Sequence, residues 1–514
     1  MASEALNLES FESWFRDQGG ELDASAMGFA IFADSGRGAI ALRDIPEGHT
    51  LFCIPRDLTL SLRTSSLPAK FGKDVWKHHE LHNGWAGLML CMMWEESLGA
   101  SSKWSGYLSS LPTAFTTPMF WTEEDIQELK GTAVVGKIGR DDAERDYHQK
   151  LIPAMKSRPD LFPEELIPQY YSLERYHMMG SRILSRSFHV EPWKGEEDHE
   201  DEEEHSHADA PQSDDPNRMD VDSENPTGDA VEENAESQND ETSQLELALD
   251  EDSDEDEDVE NPADVAMVPM ADMLNARFES ENAKLFYEER HLKMVTTKHI
   301  KAGEQIWNTY GDPPNSDLLR RYGHVDVVSL PPPLAGEGNP ADVVEVRADL
   351  VVSSVRKIRK TAAGDIQSRV DFWLEEADDD TFILTTDCEL PEELISFLRL
   401  LFLSKDEWNK TKSKGKLPKA KMEPELLPVI ADVLKQRLAE YPTSIEEDER
   451  LLAPEHAQDL SFNKRNAVVV RLGEKRILRG ALHKVEALLG SQKGKDKKRA
   501  RENEADGRGK KAKR

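Results

Sequence analysis

One stretch of the chain, residues 267–323, combines the side chains best suited to chemistry. It carries a carboxylate at Asp272, an amide at Asn275 and phenols at Tyr310 and Tyr322. The two tyrosines stand on either side of a turn, so the fold can bring them together. We therefore interpret this stretch as half of an active site that ends in a buried tyrosine.

Short strands must position these side chains. Alternating residues over 284–287 and 292–297, on either side of a charged turn, predict a β-hairpin, and a third strand is predicted at 305–310. The apolar spacing over 315–322 predicts a short helix after two prolines. The stretch is therefore expected to fold as a small β-rich unit closed by a helix.

Four pieces of this stretch resemble, in order and spacing, the C-terminal half of the SET domain of protein lysine methyltransferases. They are Asp272-Met-Leu-Asn275, Lys301-Ala-Gly-Glu304, Asn308-Thr-Tyr310-Gly311 and Arg321-Tyr322-Gly323. Within that superfamily they are most similar to the group that contains the Rubisco large-subunit methyltransferase, SET domain-containing protein 6 and the fungal ribosomal lysine methyltransferase 4. The resemblance implies a protein-lysine N-methyltransferase that uses S-adenosylmethionine.

A glycine-rich turn near the N-terminus supports the same resemblance. Gly36, Arg37 and Gly38 lie between alternating segments at 29–32 and 38–42, and alone they would indicate a simple hairpin. Followed by an Ile-Pro-Glu-Gly and an Ile-Pro sequence, they resemble the first SET strand pair, whose backbone binds S-adenosylmethionine. The resemblance thus makes these three residues cofactor-binding.

The resemblance assigns further roles in both halves of the site. Arg186 would pair with the methionyl carboxylate of the cofactor and reach the substrate, although a solvated charge at a helix end is the alternative. Asn275 and Ala276 would hold the cofactor, and Ala276 stands where the family often has histidine. Asp272 would contact the substrate lysine; its alternative role is to cap a turn.

The implied reaction moves a methyl group from a sulfonium to the ε-amine of lysine. Because the sulfonium is already activated, no metal is expected, and the site must deliver a neutral amine in line. The resemblance makes Tyr310 the catalytic residue and Tyr322 a second wall that touches both cofactor and substrate. Phe286 or Tyr287 would be a third substrate-binding wall, since strand alternation turns only one of them inward.

The predicted fold class is α+β. A β-rich SET domain is expected at 1–325, interrupted by a helical insert at about 70–190 and a disordered acidic loop at about 191–262. An all-α substrate-binding domain is expected at 340–490, as the resemblance implies, followed by a basic disordered tail at 491–514. A chain of 514 residues has room for these units.

Charge is distributed very unevenly along the chain. The formal net charge is -36, and residues 191–260 alone hold 31 acidic residues against two basic ones. Such a composition predicts disorder, because it cannot bury enough apolar surface to offset chain entropy. The segment is either an inert solvated loop or a lure that attracts a basic substrate over long range.

The final residues reverse the sign of the charge. Residues 491–514 hold 11 basic and four acidic residues, with the basic ones in two clusters. This pattern favours nuclear localisation through an import receptor, with the cytoplasm as a second compartment. A nucleic-acid-binding arm and simple solubility are the alternatives, and the lack of interleaved aromatic residues argues against nucleic acid.

Composition and motifs weigh against several other classes. Three cysteines without a close pair argue against disulfides and zinc clusters. We recognise no secretory signal, no apolar run long enough to span a bilayer, no phosphate-binding glycine loop and no HExxH pair. We therefore expect an intracellular, non-membrane enzyme.

Two functions remain open from the sequence. The first is methylation of a lysine in a nonhistone protein, with a basic or ribosomal protein as a candidate substrate. The second is a SET-fold binding protein with weak catalysis that escorts basic nuclear or ribosomal proteins through its acidic loop. Tyr310, Asn275 and Arg186 favour the enzyme, since loss of catalysis would relax these positions first.

Overall fold

The computed structural model describes residues 2–32, 35–193, 261–359, 363–377 and 379–511. The acidic segment expected to be disordered lies almost wholly outside these ranges, so that expectation stays a prediction. Within the described residues, no helix combines the length and the hydropathy that crossing a membrane requires.

The chain begins with a helix and four strands. These are α1 (Ala2–Asp17), β1 (Glu21–Leu22), β2 (Met27–Phe32), β3 (Gly36–Ala41) and β4 (Thr50–Pro55). Strands β2 and β3 pair antiparallel from Met27 opposite Ala41 to Phe32 opposite Gly36. The glycine-rich turn therefore opens a strand, as the alternating pattern predicted.

A helical insert follows the strands. Its helices are α2 (Leu67–Phe71), α3 (Lys73–His78), α4 (Ala86–Ser97), α5 (Ser105–Ser110), α6 (Glu123–Gln127), α7 (Arg140–Asp146), α8 (Ile152–Ser157), α9 (Ile167–Tyr170) and α10 (Leu173–Arg186). The π-helical turn Tyr147–Leu151 joins α7 to α8. Ser172 caps α10 by accepting a hydrogen bond from the Arg175 amide.

The chain then returns to strands and a closing helix. These are β5 (Ser187–His189), β6 (Val265–Met267), β7 (Ala283–Tyr287), β8 (His291–Thr296), β9 (Gln305–Ile306) and α11 (Asn315–Asp317), which continues as the π-helical turn Leu318–Tyr322. The predicted hairpin and short helix are confirmed. The third strand is shorter than predicted and ends at Ile306.

Strands from both ends of the SET-like region share sheets. One sheet has the order β1-β4-β8-β7 and another the order β2-β3-β9. Alternate residues of β8, Leu292, Met294 and Thr296, are buried against the core. One continuous core joins these strands to α1 and to the helical insert. Residues distant in sequence are thereby brought together around the candidate site.

The C-terminal region is mostly helical. Its elements are β10 (Val328–Ser329), β11 (Glu337–Gly338), β12 (Val343–Arg347), α12 (Ala348–Arg359), α13 (Ala363–Glu376), β13 (Thr381–Thr385), α14 (Glu392–Phe402), α15 (Lys405–Lys414), α16 (Leu427–Leu438), α17 (Ile445–Leu452), α18 (Pro454–Ala457) and α19 (Phe462–Lys511). It has its own hydrophobic core. The α+β fold class with a helical C-terminal region is confirmed.

Two local differences from the sequence analysis have physical causes. Residues 343–347 lie in the region expected to be all-α, but they form β12 because Val344 and Val346 alternate inward and pair with β13. Helix α19 continues over 491–511, where we expected disorder. That stretch contains no proline and many Lys, Arg, Ala and Glu residues, which favour helix.

Buried charges fasten the helical insert to α19. Arg471 of α19 donates to the Glu128 carbonyl at 2.8 Å and to the Asp448 carboxylate at 2.9 and 3.0 Å. Lys475 pairs with the same carboxylate, and Asp448 is fully buried. Two cations of α19 therefore share one acid of α17, and Arg471 also pairs with the Glu128 carboxylate at 2.9 Å.

We predict that Asp448→Ala destabilises the protein strongly, because it leaves Arg471 and Lys475 buried without their shared anion. The expected loss in the free energy of unfolding is about 3–5 kcal/mol, measured by urea denaturation. The matched control is Glu446→Ala on the same helix, which removes an exposed ion pair with Arg479 of 2.8 Å and should change stability little. Equal effects of the two variants would contradict the prediction.

Candidate functional site

Two stacked tyrosines form the centre of the candidate site. The rings of Tyr310 and Tyr322 lie 4.3 Å apart between centroids, at an interplanar angle of 11°. The Tyr310 hydroxyl donates to the Leu274 carbonyl at 3.2 Å. Desolvation by the surrounding protein raises the pKa of both phenols, so both are neutral at physiological pH. The pair is therefore a flat, uncharged aromatic wall.

Asp272 is a buried carboxylate beside this wall. The Tyr107 hydroxyl donates to its Oδ2 at 3.0 Å. Arg186 donates to the main-chain carbonyl of Asp272 at 2.7 Å, and its Nη1 lies 3.5 Å from Oδ2. Burial raises the pKa of Asp272, although the Arg186 charge opposes that shift. The buried Oδ1 has no hydrogen-bond partner among the described residues and can accept one from a ligand.

Three elements far apart in sequence assemble this carboxylate cluster. Tyr107 lies on α5, Arg186 is the last residue of α10, and Asp272 lies in the short turn Ala271–Met273. Met270, just before that turn, has a φ of +77°, a conformation that costs free energy for a residue with a side chain. The sequence analysis did not assign Tyr107 to the site; the only signal was that a buried tyrosine hydroxyl needs a partner.

Asn275 joins the two halves of the site. Its Nδ2 donates to the Ser35 carbonyl at 3.2 Å and to the Arg37 carbonyl at 3.1 Å. A Cβ atom on Gly38 would lie 2.6 Å from Asn275 Nδ2 and equally close to Gln305 Nε2. Only glycine permits this approach. The buried Nε2 of Gln305 has no hydrogen-bond partner within the described part of the chain.

The rest of the glycine-rich turn is also held near the site. Arg37 Nη2 donates to the Ser110 carbonyl at 3.3 Å and lies 3.3 Å from the Met273 sulfur. Gly36 has a φ of +68° and open space around it. The structure therefore brings the glycine turn and the turn containing Asp272 into direct contact.

The two residues expected as a third wall lie on the edge strand β7, where Phe286 is 46% exposed and Tyr287 is 41% exposed. Among the described residues, Phe286 makes no ring contact with Tyr310 or Tyr322. Phe286 lies on the face of β7 opposite to the buried Ala283 and Leu285, whereas Tyr287 lies on their face at the end of the strand. The third wall therefore stays a prediction.

Comparison with known proteins identifies the family. The SET domain family model matches residues 36–311, more than half of the chain. The chain belongs to the SET-domain family. A second family model, described as Rubisco LSMT substrate-binding, matches residues 365–478 in the helical C-terminal region. The family inferred from the motifs is thereby confirmed.

Two curated relatives of this SET-domain protein are named as lysine methyltransferases. Ribosomal lysine N-methyltransferase 4 of Saccharomyces cerevisiae is 28% identical over 64% of this chain and 55% of its own length. N-lysine methyltransferase setd6 of Danio rerio is 28% identical over 86% of this chain and 87% of its own. The chain thus spans just over half of the yeast relative and most of the fish relative.

Solved structures share the fold of this SET-domain protein. Rubisco LSMT bound to sinefungin and monomethyllysine has a TM-score of 0.61 at 18% identity, covering 94% of this chain and 92% of that one. Rubisco LSMT bound to AdoMet has a TM-score of 0.60 at 17% identity, with the same coverage. Both the SET region and the helical C-terminal region are included in these alignments.

The SET domain contains two further features beside Tyr310. A shallow surface depression is lined by Ala276, Arg277, Phe278, Tyr310, Asp312, Pro313, Leu318 and Asp326. His324, which sequence reasoning missed, has its ring 6.0 Å from that of Tyr322, and desolvation lowers the pKa of its imidazole. Ala276 thus lines open space, and a neutral histidine adjoins the second tyrosine.

We predict that Tyr107→Phe destabilises the SET domain in a pH-dependent way, because it removes a donor to the ionised Asp272. The loss in the free energy of unfolding should be about 1–3 kcal/mol once Asp272 is ionised. It should shrink as the pH falls through the raised pKa of Asp272, where the carboxyl is protonated with or without Tyr107. Urea denaturation at several pH values measures the difference.

Tyr147→Phe is the matched control for this prediction. The Tyr147 hydroxyl donates at 2.8 Å to the main-chain carbonyl of Tyr171, which does not titrate. The loss in the free energy of unfolding caused by Tyr147→Phe should therefore be the same at every pH. A Tyr107→Phe effect with no pH dependence would show that the bond to Asp272 is not to its carboxylate form.

Proposed function

We propose that this SET-domain protein is an S-adenosylmethionine-dependent protein-lysine N-methyltransferase that acts on a nonhistone protein. The family match and the named relatives support this class of reaction. The observation that carries the proposal is the stacked Tyr310–Tyr322 pair, which supplies a desolvated wall and a hydroxyl beside it. A basic or ribosomal protein is our candidate substrate, in line with the name of the yeast relative.

The residues of the glycine turn and its neighbours fit S-adenosylmethionine. Gly38 lets the side-chain amides of Asn275 and Gln305 approach the turn closely, and Gln305 Nε2 is a buried donor without a partner among the described residues. Arg186 offers a guanidinium for a carboxylate, and Asn275 fixes the turn itself. When bound, the cofactor supplies a methyl group already activated on a sulfonium.

The side chains around the tyrosine pair would prepare the lysine amine. The Tyr310 hydroxyl would orient the amine, and the rings of Tyr310 and Tyr322 would exclude water from it. A desolvated aromatic site disfavours the charged ammonium and so favours the neutral nucleophile. Asp272 Oδ1 is an acceptor for the substrate or its channel. No step needs a metal ion.

The remaining units take supporting roles in this proposal. The match at 365–478 supports a helical C-terminal domain, within about 340–490, that docks the protein substrate. The basic clusters of the tail at 491–514 support nuclear import, with the cytoplasm as a second compartment. The acidic segment could attract a basic substrate before docking.

We predict that Tyr310→Phe lowers methyl transfer by on the order of 100-fold, because the amine loses the hydroxyl that orients it. Purified variants are incubated with radiolabelled S-adenosylmethionine and a protein lysate, and labelled bands are counted. Cofactor affinity, measured by calorimetry, should be unchanged. Tyr147→Phe is the control, since its hydroxyl donates to the Tyr171 carbonyl within the helical insert. Full activity of Tyr310→Phe would exclude its proposed catalytic role. Absence of both labelling and cofactor binding in wild type and variant would favour the escort function, whereas cofactor binding without transfer would show that the lysate lacks the substrate.

We also predict that Gly38→Ala weakens binding of S-adenosylmethionine at least about tenfold. The new methyl group would displace the side-chain amides of Asn275 and Gln305, which lie 2.6 Å from its position. Gly136→Ala is the control, because a Cβ there meets no atom within 4 Å. Calorimetric titration with the cofactor measures the affinity of both variants. An unchanged affinity in Gly38→Ala would place the cofactor away from this turn.

A further inference from the structure

We propose that Phe115 and Phe120 form an aromatic platform that binds an apolar side chain next to the target lysine of the protein substrate. The proposal rests on lysine methyl transfer as the function of the site. It adds a specificity-determining surface outside the tyrosine pair. The occupant is an extended substrate segment with an apolar residue beside the lysine.

The platform is a stacked pair of rings at the protein surface. The ring centroids of Phe115 and Phe120 lie 5.4 Å apart, at an interplanar angle of 16°. Phe120 is 40% exposed and Phe115 is half-buried. Both belong to the short connection between α5 and α6, in which Pro118–Phe120 forms a 3-10 turn. Their exposed surface is apolar and flat, which suits an aliphatic or aromatic side chain.

The connection between α5 and α6 is hydrogen-bonded to the residue that follows Tyr322. The Thr116 hydroxyl donates to the Gly323 carbonyl at 3.1 Å. A Cβ on Gly323 would lie 2.3 Å from Thr116 Oγ1, and Gly323 has a φ of +77°, so only glycine permits this contact. Gly323 follows Tyr322, and the turn Pro118–Phe120 packs against the turn Leu318–Tyr322. The platform therefore adjoins the second tyrosine wall.

The exposure of Phe120 is not a sign of a loose loop. Trp121, next in sequence, is buried and donates from Nε1 to the Thr116 carbonyl at 2.8 Å. Arg140 Nη2 donates to the Met119 carbonyl at 2.6 Å and to the Trp121 carbonyl at 3.2 Å. A large apolar side chain is thus held outward by a backbone fixed on both sides of it, which is typical of a binding surface.

A substrate segment has the right reach for this surface. A residue next to an extended lysine lies about 3.3 Å further along the chain, so the neighbours of the target pass within one side-chain length of the tyrosine pair. Phe286, another exposed aromatic residue, lies on the edge strand β7 and makes no ring contact with the pair among the described residues. We choose the platform as the binding surface because its connection contacts the turn that ends in Tyr322.

The test uses synthetic peptides with one central lysine, in which each flanking position is either leucine or serine. Wild-type protein should label the best leucine peptide at least about fivefold more than its serine counterpart. Phe120→Ala should raise KM for that peptide about tenfold with little change in kcat, and should leave the serine peptide and cofactor affinity unchanged. Val75→Ala, which truncates a similarly exposed apolar side chain on α3, should retain the preference.

The outcomes separate the platform from the reaction. If Phe120→Ala still prefers the leucine peptide, the platform proposal is wrong, but the proposed methyl transfer is not affected. If wild-type protein labels no peptide, methyl transfer to peptide lysines fails. Crosslinking then tests independently whether the platform binds the peptide. Peptides with photoreactive leucine beside the lysine are then irradiated with wild-type protein. Adducts on residues 115–120 support the platform, and adducts confined to other residues overturn it.

Discussion

The rest of the site depends on keeping the Asp272 carboxylate buried. An unpaired buried charge is costly, so a carboxylate persists there only when donors surround it. Tyr107 from α5 and Arg186 from α10 supply those donors, while the strained backbone at Met270 sets the turn. The helical insert thus contacts the strand-rich half close to Leu274, whose carbonyl accepts a hydrogen bond from the Tyr310 hydroxyl. Placement of the Tyr310 phenol follows from this cluster.

A second set of buried charges fixes the C-terminal helices relative to that site. Arg471 links Glu128 of the insert to Asp448 of the C-terminal region. A small apolar cluster that includes Trp121, Leu319, Ala467 and Val470 lies at the same junction. Leu319 belongs to the turn that ends in the second tyrosine. The junction that positions the C-terminal helices therefore also supports the tyrosine wall.

The chemistry proposed for the site follows from low polarity rather than from a strong acid or base. Both phenols are neutral because burial raises their pKa values, and the neutral imidazole of His324 adds no charge. Such surroundings favour a neutral amine over an ammonium. The donor needs no further activation, so alignment and exclusion of water are what the protein has to provide.

The sequence by itself determined the family, the order of elements and the central residues, because motif spacing and alternation are local properties. Tyr310, Tyr322 and the glycine turn were all recognisable in this way. Only the tertiary structure decided that Tyr107 serves Asp272, since that hydrogen bond spans 165 residues. It also decided that Phe286 is exposed on an edge strand and that β12 forms, because sheet edges and strand partners depend on distant segments.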